Sequence, residues 1–340
     1  MTRVTLGRTG LNVNKNGFGA LPIQRVSRDG AAYLLQKALD NGIDFFDTAR
    51  AYTDSEEKIG FALSGRRGQF VLATKTAACD AGAFWDDLHA SLKNLKTDCV
   101  DILQFHNPAF CPRPGDGTGI YEAAVEARGQ GKLRFIGLTN HRLAVAREAA
   151  ASGLYDTLQF PFSYLASGEE VRLAEECKAG DVGFIAMKAL SGGLITNAAA
   201  AYAFQAQYDN VLPIWGIQRE DELDEFLAFL ENPPQMTAEL QAVIDRDRGE
   251  LAGEFCRGCG YCLPCPAQID IPTCARMSLL LRRSPAQGHL SPAGQAKMGR
   301  IDHCIHCNQC AGRCPYGLDT PGLLRRNYED YKTFLRGAGA

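Results

Sequence analysis

No run of apolar residues approaches the roughly 18 that a membrane-spanning helix needs, so no spanning segment is expected. Charge of one sign is equally scarce. The chain sets 36 Lys and Arg against 39 Asp and Glu, a net charge of −3, and no basic stripe gathers along it. That removes the electrostatic case for a nucleic-acid partner. The first residues, MTRVTLGRTG, lack the apolar core of a secretory signal, so the cytoplasm is the expected compartment. A G-x-G-x-x-G turn is also missing after the first strand-like run, which weighs against a doubly wound dinucleotide fold.

Cysteine is what the chain has in excess, and its distribution divides the sequence. Cys79, Cys99, Cys111 and Cys177 are scattered, whereas the other nine of the thirteen fall between Cys256 and Cys314. A reducing compartment disfavours a disulfide framework, so a dense cluster reads as metal-binding. The composition changes near residue 250, giving an expected larger domain over 1–248 and a smaller one over 249–340.

In the larger part, eight short apolar runs recur about every 28 residues, from NGFGA at Asn16 to VLPIW at Val211. Between them lie segments with apolar residues three and four apart, the helical period, several ending at a glycine such as Gly42, Gly131, Gly153 or Gly180. Eight strands alternating with helices predict an α/β fold, a closed (β/α)8 TIM barrel.

Such barrels do chemistry at the carboxyl ends of their strands. Reading those positions gives Asp47 after IDFF, Tyr52 five residues on, Lys75 after FVLAT, and His106 after VDILQF. Each alone could cap a helix or sit at an exposed strand end; four at consecutive strand ends form a plausible catalytic unit. A tyrosine hydroxyl, ordinarily near pKa 10, is a poor acid at neutral pH. A nearby ammonium favours the phenolate, a carboxylate keeps that ammonium charged and oriented, and an imidazole can hold a carbonyl oxygen. Together they could protonate an oxygen as hydride reaches carbon.

FFDTARAY, FVLATKT, LQFHN and the opening TLGRTGLNV resemble the aldo-keto reductases over roughly residues 3–230. The resemblance implies a (β/α)8 barrel, a catalytic tetrad of Asp47, Tyr52, Lys75 and His106, and NADPH or NADH bound without a Rossmann fold. It further implies nucleotide contacts from Gly19, Asp47, Thr139, Asn140 and Gln159. Met187, Lys188 and Leu190 follow the seventh strand, with Met187 where a stacking tyrosine is common. Gly216, Gln218, Arg219, Asp224 and Glu225 follow the eighth, with Gln218 where a phosphate-binding Arg or Lys is common and Phe226 replacing an Asn.

The cysteine region holds two runs, Cys256-x2-Cys259-x2-Cys262-x2-Cys265-Pro266 and Cys304-x2-Cys307-x2-Cys310-x3-Cys314-Pro315. The second has bacterial ferredoxin spacing, in which the fourth thiolate can reach the other cluster. Zinc held by four cysteines is the alternative, though zinc ribbons place tens of residues between their pairs. All eight are therefore expected to ligate two [4Fe–4S] clusters; Cys274 is a spare, and His303 and His306 flank ligands. The 38 residues between Cys265 and Cys304 include IPTCARMSLLLRRS, which reads as a helix, as does the tail PGLLRRNYEDYKTFLRG. This resembles the mostly α-helical ferredoxin-like domain fused to several oxidoreductases, one subgroup of aldo-keto reductases among them.

Three functions remain open. The first is a nicotinamide-dependent reductase of a small carbonyl substrate, with clusters that are structural or coupled to a ferredoxin or flavoprotein. The second is a reductase fed one electron at a time by its clusters, with little nicotinamide dependence. The third is an electron-transfer or redox-sensing protein.

Overall fold

The eight apolar runs are buried almost throughout, as strands walled by helices must be, and they pair into a closed parallel barrel. The computed structural model describes residues 2–251, 255–283 and 286–338. The chain divides into two units, one of Met1–Ala189 with Asn197–Ile244, the other of Leu190–Thr196 with Asp245–Ala340.

The first unit opens with a short antiparallel hairpin, β1 (Arg3–Thr5) and β2 (Asn12–Asn14), that the periodicity does not reveal. Its GRTG turn takes Gly7 and Gly10 through positive φ, and a Cβ on Gly7 would lie 2.4 Å from the Asp181 carbonyl oxygen. Val4, Leu6, Leu11 and Val13 of this hairpin pack with Phe45, Ile102, Ile185 and Leu212 in one buried cluster.

The barrel follows as β3 (Gly17–Gly19), β4 (Phe45–Asp47), β5 (Val71–Thr76), β6 (Val100–His106), β7 (Leu133–Thr139), β8 (Thr157–Pro161), β9 (Gly183–Met187) and β10 (Val211–Gly216). It closes by pairing β10 with β3. Register aligns the strand ends: Gly19 pairs with Asp47 and Gly216, Lys75 with Gln104, and Thr139 with both His106 and Gln159.

The connecting helices are α1 (Arg28–Asp40), α2 (Ser55–Leu63), α3 (Ala81–Leu95), α4 (Ile120–Gly129), α5 (Leu143–Ala151), α6 (Gly168–Ala179), α7 (Ala198–Ala206) and α8 (Glu220–Glu231). Ser27, Asp80 and Asn197 accept from backbone N–H groups at helix starts, and Ser167 with Glu170 forms a full capping box. Gly60 lets α2 meet α3, since a Cβ there would lie 2.1 Å from the Asn94 carbonyl oxygen.

Past α9 (Ala238–Glu250) the chain is short helices and loops: α10 (Ile271–Cys274), α11 (Met277–Arg283), α12 (Gln287–Leu290), α13 (Pro292–Gly299), α14 (Gln309–Gly312) and α15 (Thr320–Ala338). IPTCARMSLLLRRS is thus two helices rather than one, broken at Ala275–Arg276, and its Ser284 lies outside the described residues. The break turns Arg276 so that Nε donates to the Pro272 carbonyl oxygen and Nη1 to that of Gly192 (both 2.9 Å). Ile271, Cys274, Met277, Leu281, Met298, Leu324 and Tyr331 form this unit's core, and the ligand-spaced Cys256, Cys265, Cys304, Cys310 and Cys314 pack against it. Cys274 is fully buried. Among the described residues no helix is long and apolar enough to cross a membrane.

Candidate active site and cysteine centre

Asp47 ends β4 and Lys75 lies one residue before the end of β5, so their side chains meet inside the barrel mouth. The Lys75 Nζ donates to Asp47 Oδ1 at 2.6 Å and to the Thr48 carbonyl oxygen at 2.7 Å, with both residues almost fully buried. Burial pushes the Asp47 carboxyl up and the Lys75 ammonium down, and their contact opposes both shifts. Tyr52, in the loop after β4, sets its ring 5.2 Å from the Lys75 Nζ. His106, ending β6, meets that ring edge-on at 5.8 Å. Burial, helped by the Lys75 charge, pushes the His106 imidazole down to about 3, so it is neutral at ordinary pH.

The residues picked out for a nucleotide do not all gather there. Gly19 and Gly216 lie at neighbouring strand ends. Thr139 Oγ1 donates to the Met187 Sδ at 3.9 Å, and Lys188 follows in left-handed backbone. Asn140 spends its amide on its own surroundings, donating to the Pro108 carbonyl oxygen (2.8 Å) and accepting from the Arg142 N–H (2.8 Å). Leu190 falls in the other unit. Arg219 pairs with Asp221 (3.0 Å) and Glu222 (2.8 Å), and Asp224 with Lys37 (2.6 Å). Glu222 also accepts from the Gln218 N–H (2.9 Å), so the start of α8 is capped by its own carboxylate. Burial pushes the Glu225 carboxyl up, with the Asp221 charge adding to the shift.

Gln159 faces the Asp47 carboxylate: its Nε2 reaches Asp47 Oδ1 at 3.5 Å while its Oε1 accepts from Gln104 at 2.8 Å. Gln104, fully buried, also donates to Asp47 Oδ2 at 3.2 Å. Sequence reasoning passed over Gln104, although it stands two residues before His106 and therefore on the same face of β6. His141 was missed as well. It is buried, and burial, helped by the Lys188 charge, pushes its imidazole well down. Thr53, Asn107 and Lys188, each in a loop at this end of the barrel, hold positive φ without being glycine, a cost that concentrates at functional sites.

In the second unit, a cleft is lined by Cys262, Cys265, Cys304, Cys307 and Cys310. Cys314 lies close enough to Cys256 to influence its thiol, and Cys265 does the same to Cys310. Among the described residues, no three His, Cys, Asp or Glu side chains converge on a point where they could hold one metal ion. A cubane presents four separate iron corners and suits thiolates spread around a cleft. Arg276, near Cys256 and Cys259, puts a cation beside the first run, and its guanidinium occupies the space a Cβ on Gly258 would need.

Comparison with known proteins agrees with this geometry. The family described as "Aldo/keto reductase family" matches residues 15–200, and "4Fe-4S dicluster domain" matches residues 255–319. L-galactose dehydrogenase of Arabidopsis thaliana is 31% identical over 219 residues, covering 58% of this chain and 69% of that protein. Aldo-keto reductase YhdN of Bacillus subtilis is 28% identical over 216 residues, covering 58% and 64%. Among solved structures, an aldo-keto reductase from Klebsiella pneumoniae in complex with NADPH superposes with a TM-score of 0.62 at 22% identity, covering 72% of this chain and 94% of that one. At that identity the likeness speaks for the fold.

Proposed function

This chain belongs to the aldo/keto reductase family, and from that premise we propose that its barrel interconverts a small carbonyl compound and its alcohol, with Tyr52 as proton donor. A nicotinamide nucleotide, when bound, supplies or accepts the hydride. The observation that carries the reading is the buried Asp47–Lys75 pair at 2.6 Å with the Tyr52 ring 5.2 Å from its ammonium. The Lys75 charge stabilises the phenolate left when Tyr52 gives up its proton, and Asp47 holds that ammonium in place. A neutral His106 offers an N–H to the substrate oxygen without competing as a proton source. Gln104 and Gln159 fix the second oxygen and the orientation of Asp47.

Of the two nucleotides, NADH suits the start of α8 better. A 2′-phosphate needs uncommitted cations, and here Arg219 and Lys37 are already engaged by four carboxylates, Glu220, Asp221, Glu222 and Asp224. The same observation favours a second reading, a cluster-fed one-electron reductase in which the nucleotide matters little.

The second unit completes the function as the seat of two [4Fe–4S] clusters. Cys265 would join Cys304, Cys307 and Cys310 on one, and Cys314 would join Cys256, Cys259 and Cys262 on the other, as in bacterial ferredoxins. Cys265 lines one cleft with Cys304, Cys307 and Cys310, beside Cys262 of the first run. Thirteen cysteines with no disulfide among the described residues suit a reducing cytoplasm.

The test is a titration of anaerobic protein with NADH and NADPH, followed by turnover of a generic aldehyde. Micromolar nucleotide binding and turnover that Tyr52→Phe abolishes are expected. Failure to bind either nucleotide would sink the first reading. Recovery of bleached cluster absorbance on adding the carbonyl would then support the second.

A further inference from the structure

The two cysteine runs differ in how they meet solvent. Cys262 of the first is buried and Cys256 and Cys259 are half-buried, whereas Cys307 of the second is exposed. The loop around Cys307 carries Ile305, 64% exposed and the most exposed large apolar side chain among the described residues. An apolar residue in water beside a cysteine centre is what a transient protein contact uses as its dry middle.

The rim around that loop is cationic, and its cations are uncommitted. Residues 255–340 carry eleven Lys and Arg against five Asp and Glu, in a chain whose total charge is negative. Other arginines of this unit are spent on carboxylates, Arg282 on Asp330 and Arg283 on Asp247. Exposed Arg300, Arg313 and Arg325 enter no ion pair among the described residues. Arg300 reaches Gln268 at 2.8 Å and Arg313 the Pro264 carbonyl oxygen at 3.4 Å, which ties both to the Cys265 loop. Arg325 shares a cleft with Cys304 and His306. The acids of that cleft are occupied, Asp302 accepting from the Tyr328 hydroxyl at 2.8 Å and Glu329 pairing with Lys332 at 2.6 Å.

We propose that the exposed edge formed by Ile305, His306 and Cys307, rimmed by Arg300, Arg313 and Arg325, is the docking face for a small acidic one-electron carrier protein. The proposal rests on the cluster reading of Cys265, Cys304, Cys307 and Cys310, since a carrier gains by docking at a redox centre. Its charge sign selects the partner: unpaired arginines attract an acidic surface, repel a basic one, and make association sensitive to salt.

Binding of the full chain to an acidic plant-type [2Fe–2S] ferredoxin tests this, with basic cytochrome c as the contrast. Wild type should bind the ferredoxin at low salt, lose at least tenfold in affinity when salt is raised to physiological strength, and ignore cytochrome c. Arg300→Glu/Arg325→Glu should lose at least tenfold at low salt, whereas Arg300→Lys/Arg325→Lys should stay within a few fold of wild type. Equal ferredoxin binding by the Glu variant, or equal binding of cytochrome c by wild type, would overturn the proposal. Iron is counted on the same samples. A value near eight per chain leaves the cluster reading standing whatever the binding result, and a value near zero removes both.

Discussion

Lys75 shows how much one side chain can carry in this barrel. Its ammonium is nearly inaccessible, touches Asp47 at 2.6 Å, and lies beneath the Tyr52 ring. Lys75→Met should reduce carbonyl reduction by ~10²-fold or more, because the charge that favours the phenolate is gone. It also strands a buried carboxylate, which typically costs about 3–5 kcal/mol. Asp47→Asn/Lys75→Met should therefore recover stability in chemical denaturation while activity stays low. Near-wild-type turnover in Lys75→Met would refute the role.

His106 gives a prediction of opposite character. Its imidazole titrates near 3 in the fold against about 6.5 when unfolded. Between those values the unfolded chain binds the extra proton, so stability rises with pH and is lost as pH falls below about 6.5. The stability gap between wild type and His106→Gln should shrink as pH drops from 7 to 4. An imidazole NMR signal titrating near 6.5 would contradict the buried neutral form.

At the scale of elements, the strands were legible and their corrections instructive. Recurring apolar runs and helical periods revealed β3 to β10 and the helices α1, α3, α4, α6 and α8, because each is a local repeat, whereas α2, α5 and α7 were not picked out. The β1–β2 hairpin escaped because three-residue strands carry too little pattern. The helix expected over IPTCARMSLLLRRS proved to be two, since Arg276 bonds back to Pro272 and across to Gly192. The start of α8 is where element and chemistry meet. Glu220→Gln/Asp224→Asn frees Lys37 from both partners and should move the kcat/KM ratio several-fold toward NADPH. An unchanged ratio would show that these carboxylates do not set nucleotide choice.

At the scale of the whole molecule, two units with separate cores share one chain, and the second carries both cysteine runs. If the fourth cysteine of each run serves the other cluster, loss should follow the pairing rather than the sequence. Cys265→Ser with Cys304→Ser should remove one cluster, about four iron of about eight, whereas Cys265→Ser with Cys256→Ser should damage both. The reverse pattern in iron counts and cluster spectra would assign each run to its own cluster.

The sequence by itself determined which residues could do chemistry. Eight cysteines at cluster spacing and Asp47, Tyr52, Lys75 and His106 at strand ends can be read from order alone, because spacing and period are local properties. Tertiary structure decided how those groups behave. Gln104 and Gln159 reach Asp47 from strands 57 and 112 residues further along the chain. The neutrality of His106, the carboxylates closing the start of α8, and the unpaired arginines beside Cys307 likewise depend on which residues are brought together. Burial and charge pairing are set by neighbours in space, and no period in the chain records them.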